Sequence, residues 1–141
     1  MSLPLAPQRA VKPQGMVLLR TRVVTSIAWT MTLMPPSLLQ SFLQFVAHKT
    51  RPSTSSEARR IRAAVCAVSE RCAGEGCLQR SIASFILCRL EGHSPSWKTG
   101  YRLEPFAAHA WIEVDGVPID EPPSVGSFVP VLSVQQPESV A

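Results

Sequence analysis

No two of the four cysteines in this 141-residue chain stand in C-x-x-C spacing. A zinc site built on such pairs is excluded, and Cys66, Cys72, Cys77 and Cys88, all in or beside helical sequence, imply no disulfide framework. No metal and no cofactor is expected. The first fourteen residues hold three prolines and two basic residues but no apolar core before a small-residue cleavage site, so they do not read as a signal peptide. The cytoplasm is the expected compartment. A membrane span is lacking too: the apolar stretch 23–46 is split by Pro35-Pro36 and interrupted by Ser26, Thr30, Thr32, Ser37, Gln40 and Gln44, and neither half reaches the roughly 20 apolar residues a span needs. The net charge of +4 gathers into no basic patch. Its arginines, including Arg20, Arg22, Arg51, Arg59, Arg60, Arg62, Arg71, Arg80 and Arg89, are spread as on solvated helix faces, which argues against nucleic acid.

What is present suits one domain. An apolar fraction of 45% supports a packed core for a chain of this length. Residues 1–15 read as a disordered N-terminus, 16–134 as the folded domain and 135–141 as a tail. Helices are predicted over 17–34 and 37–48, with Pro35-Pro36 ending one and starting the next. A third helix over 57–72 follows a Ser55 or Ser56 cap, and a fourth over 77–90 follows Ala73-Gly74-Glu75-Gly76. After Pro95 the pattern changes to short strands at 97–102, 107–114 and 117–121. Asp115-Gly116 signals a hairpin, and 128–134 offers a last strand or an extended tail. The predicted fold class is α+β.

Two residues carry chemistry in this arrangement. Cys77 opens a helix, where terminal N–H groups favour a thiolate, and His109 lies on a strand as an available imidazole. A nucleophile and its base can face each other from separate rigid elements, so their separation in sequence is no obstacle. Each has a plainer reading: a helical cysteine is usually core, and a strand histidine often bonds only a backbone carbonyl. Cys66, Cys72 and Cys88 are read as core, and His93 as an exposed loop residue. The third member of a catalytic set is open. A two-residue turn at Asp115-Gly116 pairs Val114 with Val117 and puts Asp120 on the face of His109, whereas a three-residue loop with a bulge puts Glu121 there.

Gly74-Glu75-Gly76-Cys77-Leu78-Gln79-Arg80-Ser81 and Ala107-Ala108-His109-Ala110-Trp111-Ile112-Glu113-Val114 together resemble the transglutaminase-like, papain-type cysteine peptidases. More narrowly, the chain resembles the leader peptidases of lasso peptide biosynthesis, as the stand-alone peptidase half of the split B protein. The resemblance implies N-terminal helices and a central cysteine-headed helix packed on a small antiparallel sheet. It implies hydrolysis that frees the core of a ribosomal precursor from its leader, with Cys77 attacking, His109 moving the proton, and an acid orienting His109. The family's spacing from histidine to acid falls on Glu121, where many relatives carry aspartate; Asp120 is the alternative. Arg80 and Trp111 are expected in support, with Trp111 packed against the catalytic face and Glu113 paired to a base such as Arg80. The Cys77 backbone N–H is expected in the oxyanion hole. The implied partners are the precursor's leader, a separate leader-recognition protein and an ATP-using macrolactam synthetase. No recognition domain is expected ahead of the helices, and the helical pair 16–48 is the expected docking face. Two other readings share this fold: a non-catalytic scaffold that binds precursor or partner, and a transglutaminase that transfers an amide to an amine.

Overall fold

The computed structural model describes residues 13–138. Most of the expected disordered N-terminus and the last three residues of the expected tail therefore lie outside the described residues. Helix α1 (Gly15–Met31) and helix α2 (Pro36–Val46) are separated where Pro35 takes an extended backbone and Pro36 occupies the first turn of α2. Proline's missing N–H costs nothing at that position. Helix α3 (Ser55–Val68) is capped not by Ser55 or Ser56, as the sequence suggests, but by the residue before them. Thr54 is the N-cap, because Glu57 then stands three residues on and completes a reciprocal capping box. The expected third helix is in fact two. Ser69 takes an extended backbone and accepts from the Cys72 N–H, which ends α3 and starts the single turn α4 (Glu70–Ala73).

Helix α5 (Cys77–Leu90) is the centre of the molecule. It packs on α1 and α3 and against the sheet. Buried positions run round its circumference, with Ile82, Ala83, Ser84, Phe85 and Cys88 fully enclosed. Burying a side chain such as Phe85 contributes about 1.5–3 kcal/mol, so this helix is fixed mainly by its surroundings rather than by one amphipathic stripe.

The sheet has the order β5-β4-β3-β6, with β3 (Ser96–Leu103), β4 (Phe106–Val114), β5 (Val117–Pro118) and β6 (Val129–Val134). The pairings β3–β4, β3–β6 and β4–β5 are all antiparallel. A separate parallel pair, β1 (Arg51–Pro52) with β2 (His93–Ser94), closes the far end of α5. The β4–β5 hairpin is the two-residue form: Val114 pairs with Val117, and Asp115 and Gly116 have φ of 52° and 79°, as a type I′ turn requires. Strand β5 is shorter than the sequence predicts. Trp97 on β3 is fully buried and donates its indole N–H to Ser81 Oγ at 3.0 Å, which ties the first turns of α5 to the sheet. The architecture is α+β, as the sequence predicts.

Candidate active site

Cys77 is held by the turn that precedes it. The Gly76 N–H donates to Arg71 O at 2.7 Å, and a side chain on Gly76 would bring a Cβ to 2.7 Å from that same oxygen. Glycine is needed there for close approach of two backbones rather than for a left-handed conformation. The Arg80 N–H then donates to Gly76 O and opens α5, leaving Cys77 as its first residue, 6% exposed. The Cys77 N–H donates to Glu75 O at 2.9 Å.

His109 sits mid-strand on β4, opposite Gly100 of β3. At Gly100 the β3–β6 register shifts, and an added Cβ would lie 2.6 Å from Val129 O. This pinch brings β6 close and leaves the imidazole with no side chain across from it. Two residues along the same strand face, the Trp111 ring stacks on His109 with centroids 5.9 Å apart and planes at 16°. Phe128 packs edge-on against the same pair, its centroid 5.9 Å from His109 and 6.4 Å from Trp111. The sequence reading expected Trp111 against this strand face and did not name Phe128.

The carboxylate beside His109 is that of Glu121. Nε2 of His109 and Oε2 of Glu121 are 2.8 Å apart, with both side chains at 1% exposure or less. The hairpin has the register that would favour Asp120, yet Asp120 turns away. One more ladder bond forms, from the Ile119 N–H to Ile112 O. Asp120 then takes φ of 50°, which leaves the strand path and rotates the next residue inward. The Asp120 carboxylate instead accepts from Arg59 at the surface, at 3.0 Å. Strict alternation of faces fails as soon as the strand ends.

With Nε2 directed at Glu121, Nδ1 is the nitrogen left for the thiol. It is buried and makes no hydrogen bond of good geometry to a protein oxygen or nitrogen. Burial alone would lower the His109 pKa. Hydrogen bonds with Cys77 and then Glu121, and their negative charge, outweigh it and raise the pKa to about 9. Cys77 and His109 both line an apolar cavity of about 370 Å³ bounded by Met34, Leu39, Trp97 and Val131. A thiol, an imidazole that favours its protonated form and a buried carboxylate are thus set in a row beside a cleft, the arrangement nucleophilic acyl transfer needs.

Other expectations are redirected. Glu113 pairs with Lys98 at 2.9 Å and accepts the Trp111 indole N–H at 2.9 Å, so its partner is not Arg80. Arg80 is buried and donates to Cys72 O at 2.8 Å and Gly74 O at 3.2 Å, within the turn that carries Cys77. Gln79 donates to Thr25 O at 2.8 Å and fastens α5 to α1. His93 is fully buried, not exposed. Arg62, which the sequence places on a solvated helix face, is instead buried, 2% exposed in its side chain, and reaches Glu121 Oε1 at 3.3 Å. Its signal was available: Ala58, Ile61, Val65 and Cys66 form the buried stripe of α3, and Arg62 lies on that stripe.

Residues 21–133 match the model of the transglutaminase-like superfamily, and the chain belongs to that superfamily, which includes cysteine peptidases and transferases. No curated protein and no solved structure gives a match. No helix among the described residues is long and apolar enough to cross a membrane.

Proposed function

We propose that the protein is a cysteine peptidase acting on a ribosomally made precursor, in the manner of the lasso leader peptidases that its two motifs resemble. The observation that carries this reading is the buried alignment of Cys77, His109 and Glu121 beside an apolar cleft. A thiolate at Cys77 and an imidazolium at His109 stabilise each other. The thiolate attacks the carbonyl carbon of the peptide bond between leader and core, forming an S–C bond. His109 gives its proton to the departing amine as the C–N bond breaks, leaving a thioester. Water then attacks the thioester with His109 as base, releasing the leader's carboxylate and the thiol. Glu121 holds the ring orientation and offsets its charge. The freed core amine is the group that a macrolactam synthetase consumes.

The domain 16–134 acts with a separate leader-recognition protein. Support comes from the helical pair, which exposes Met16, Leu33 and Phe45 at 78%, 75% and 79%. Isolated apolar residues are common on surfaces, but large ones this exposed on two consecutive helices and the turn between them suit docking. Docking of leader-bound partner there raises the local substrate concentration to about the millimolar range.

The test is incubation of a lasso precursor with the protein, with and without the leader-binding partner, followed by product masses. Two fragments separated by one added water are expected, with cleavage rising steeply when the partner is present. Cross-linked products would indicate amide transfer, and an intact precursor that nonetheless binds would indicate a scaffold. Phe45→Asp is expected to abolish stimulation by the partner while leaving slow basal cleavage; equal rates with and without the partner would refute the docking face.

A further inference from the structure

The acid beside His109 is itself held by two buried arginines on two other elements. Glu121 Oε2 faces His109, and Oε1 faces Arg62 Nη2 of α3 at 3.3 Å and Arg80 Nη2 of α5 at 3.8 Å. Both arginines are 1% exposed. Arg80 also binds the carbonyls of Cys72 and Gly74, so the cation near the acid grips the turn that delivers Cys77. Taking two guanidinium groups out of water is costly, and one carboxylate only partly offsets it. Burial and the neighbouring Arg62 depress the Arg80 pKa, while Glu121, Cys66 and Cys77 act against that.

We infer that Arg62 is a positioning residue for the reaction: together with Arg80 it clamps Oε1 of Glu121, so that Oε2 is presented to His109 and the α3, α5 and post-β5 segments are locked in one geometry. The inference rests on the peptidase reading of Cys77, His109 and Glu121. A carboxylate on a non-strand segment, one residue past a left-handed Asp120, has no ladder to orient it. The charge-assisted hydrogen bond from Arg62 Nη2 at 3.3 Å, with Arg80 Nη2 beside it at 3.8 Å, supplies that orientation. Around the imidazole and its acid, the charged or titratable groups are Cys77 and Arg80 from α5 and its turn, and Arg62 and Cys66 from α3. Asp120, whose charge reaches Cys66, pairs with Arg59 at the surface.

The test follows His109 by NMR titration of its ring and compares wild type, Glu121→Gln, Arg62→Met, Arg62→Lys and the Arg62→Met/Glu121→Gln double variant. Steady-state cleavage is measured on the same proteins. Arg62→Met is expected to lower the imidazole midpoint by about one pH unit in the same direction as Glu121→Gln, and to cut kcat about tenfold with KM within twofold. The double variant should fall no further than Glu121→Gln alone, because one residue acts through the other. Lysine at 62 keeps the charge but loses the rigid guanidinium geometry, and is expected to restore part of both readouts. If methionine prevents folding, Arg62→Lys decides by the same titration. An Arg62 variant that folds and leaves the midpoint at the wild-type value, while Glu121→Gln lowers it, overturns the clamp alone. A Glu121→Gln variant that leaves both midpoint and cleavage unchanged overturns the catalytic reading beneath it.

Discussion

His109 and His93 are both enclosed by the fold, at 3% and 0% exposure, and each has a cysteine, carboxylates and arginines nearby. Around His109 a carboxylate oxygen meets the ring directly, at 2.8 Å, and the thiol of Cys77 also bonds it, so the pKa rises to about 9 in spite of burial. Around His93 the direct partner is neutral: Ser53 Oγ lies 2.6 Å from Nδ1. Glu57 and Glu91 stand farther off, at 3.4 and 3.9 Å from Nε2. Their oxygens are taken by Arg51 at 2.6 Å and Arg60 at 2.7 Å. Burial therefore prevails over Glu57 and Glu91, and the His93 pKa is lowered. Burial likewise drives the Cys88 thiol up to about 12, although a hydrogen bond with Ser53 opposes it. The same residue types make a reactive pair in one place and an inert, neutral cluster in the other. What separates them is which carboxylate oxygen is left over once the arginines are satisfied, and whether the ring opens on a cavity.

Removing the reactive members should break this contrast most sharply. Cys77→Ala and His109→Ala are expected to lower kcat/KM for precursor cleavage by about 10³-fold or more, since each group acts in the chemical step. Cys88→Ala and His93→Gln should stay within about threefold, with their cost appearing in thermal melts instead. Iodoacetamide at pH 6 followed by peptide mass mapping gives a second readout: Cys77 should be modified first and Cys88 left intact. Equal loss of cleavage from both histidine variants would mean that the two clusters do not differ as the geometry says.

A smaller effect separates the neighbouring carboxylates. Glu121→Gln is expected to lower kcat about tenfold or more, because it leaves the imidazolium without its counter-charge. Asp120→Asn should change kcat less than twofold: its ion pair with Arg59 is solvent-facing, and such pairs contribute little. The reverse ranking would return the role to Asp120.

That ranking also marks where sequence reasoning stops. The hairpin was legible, because Asp115-Gly116 admits left-handed backbone at both positions, and so was the cysteine-headed helix after its glycine turn. The contact between His109 and Glu121 was not derivable from register. A two-residue turn with unbroken alternation selects Asp120, and only the left-handed φ of Asp120 undoes that, at a residue where sequence gives no strong signal. His93 followed a helix-ending glycine in polar sequence and read as exposed. It is buried because β1 and β2 pair in parallel across the end of α5, a long-range contact that no local pattern announces. Arg62 was hidden for the opposite reason. Its neighbours Arg59 and Arg60 are exposed, and a run of arginines looks like a solvated face until the one on the apolar stripe is picked out.

The smallest effect is a matter of sign, and it tests the contrast without any substrate. The folded pKa of His109 lies above its unfolded value of about 6.5, so the stabilisation this group provides is complete below that value and is lost as pH rises through about 9. His93 is shifted the other way: the unfolded chain takes up a proton that the folded one resists, so stability is full above about pH 6.5 and declines as pH falls toward the lowered folded value. Melts of wild type, His109→Gln and His93→Gln at pH 5, 7 and 9.5 isolate each limb, because the remaining groups are common to all three and cancel in the differences. Between pH 7 and 9.5, Tm of the wild type should fall relative to His109→Gln by about 5–10 °C. Between pH 7 and 5 it should fall relative to His93→Gln by a smaller amount, with no difference between those two in the alkaline range. Cys77→Ala sharpens the first limb, since removing the thiol takes away one cause of the raised imidazole pKa and should move the alkaline loss to lower pH. Two histidine variants whose difference curves bend on the same side of neutrality would show that the rings carry charge alike, and the distinction between a paired and an unpaired buried imidazole would fail.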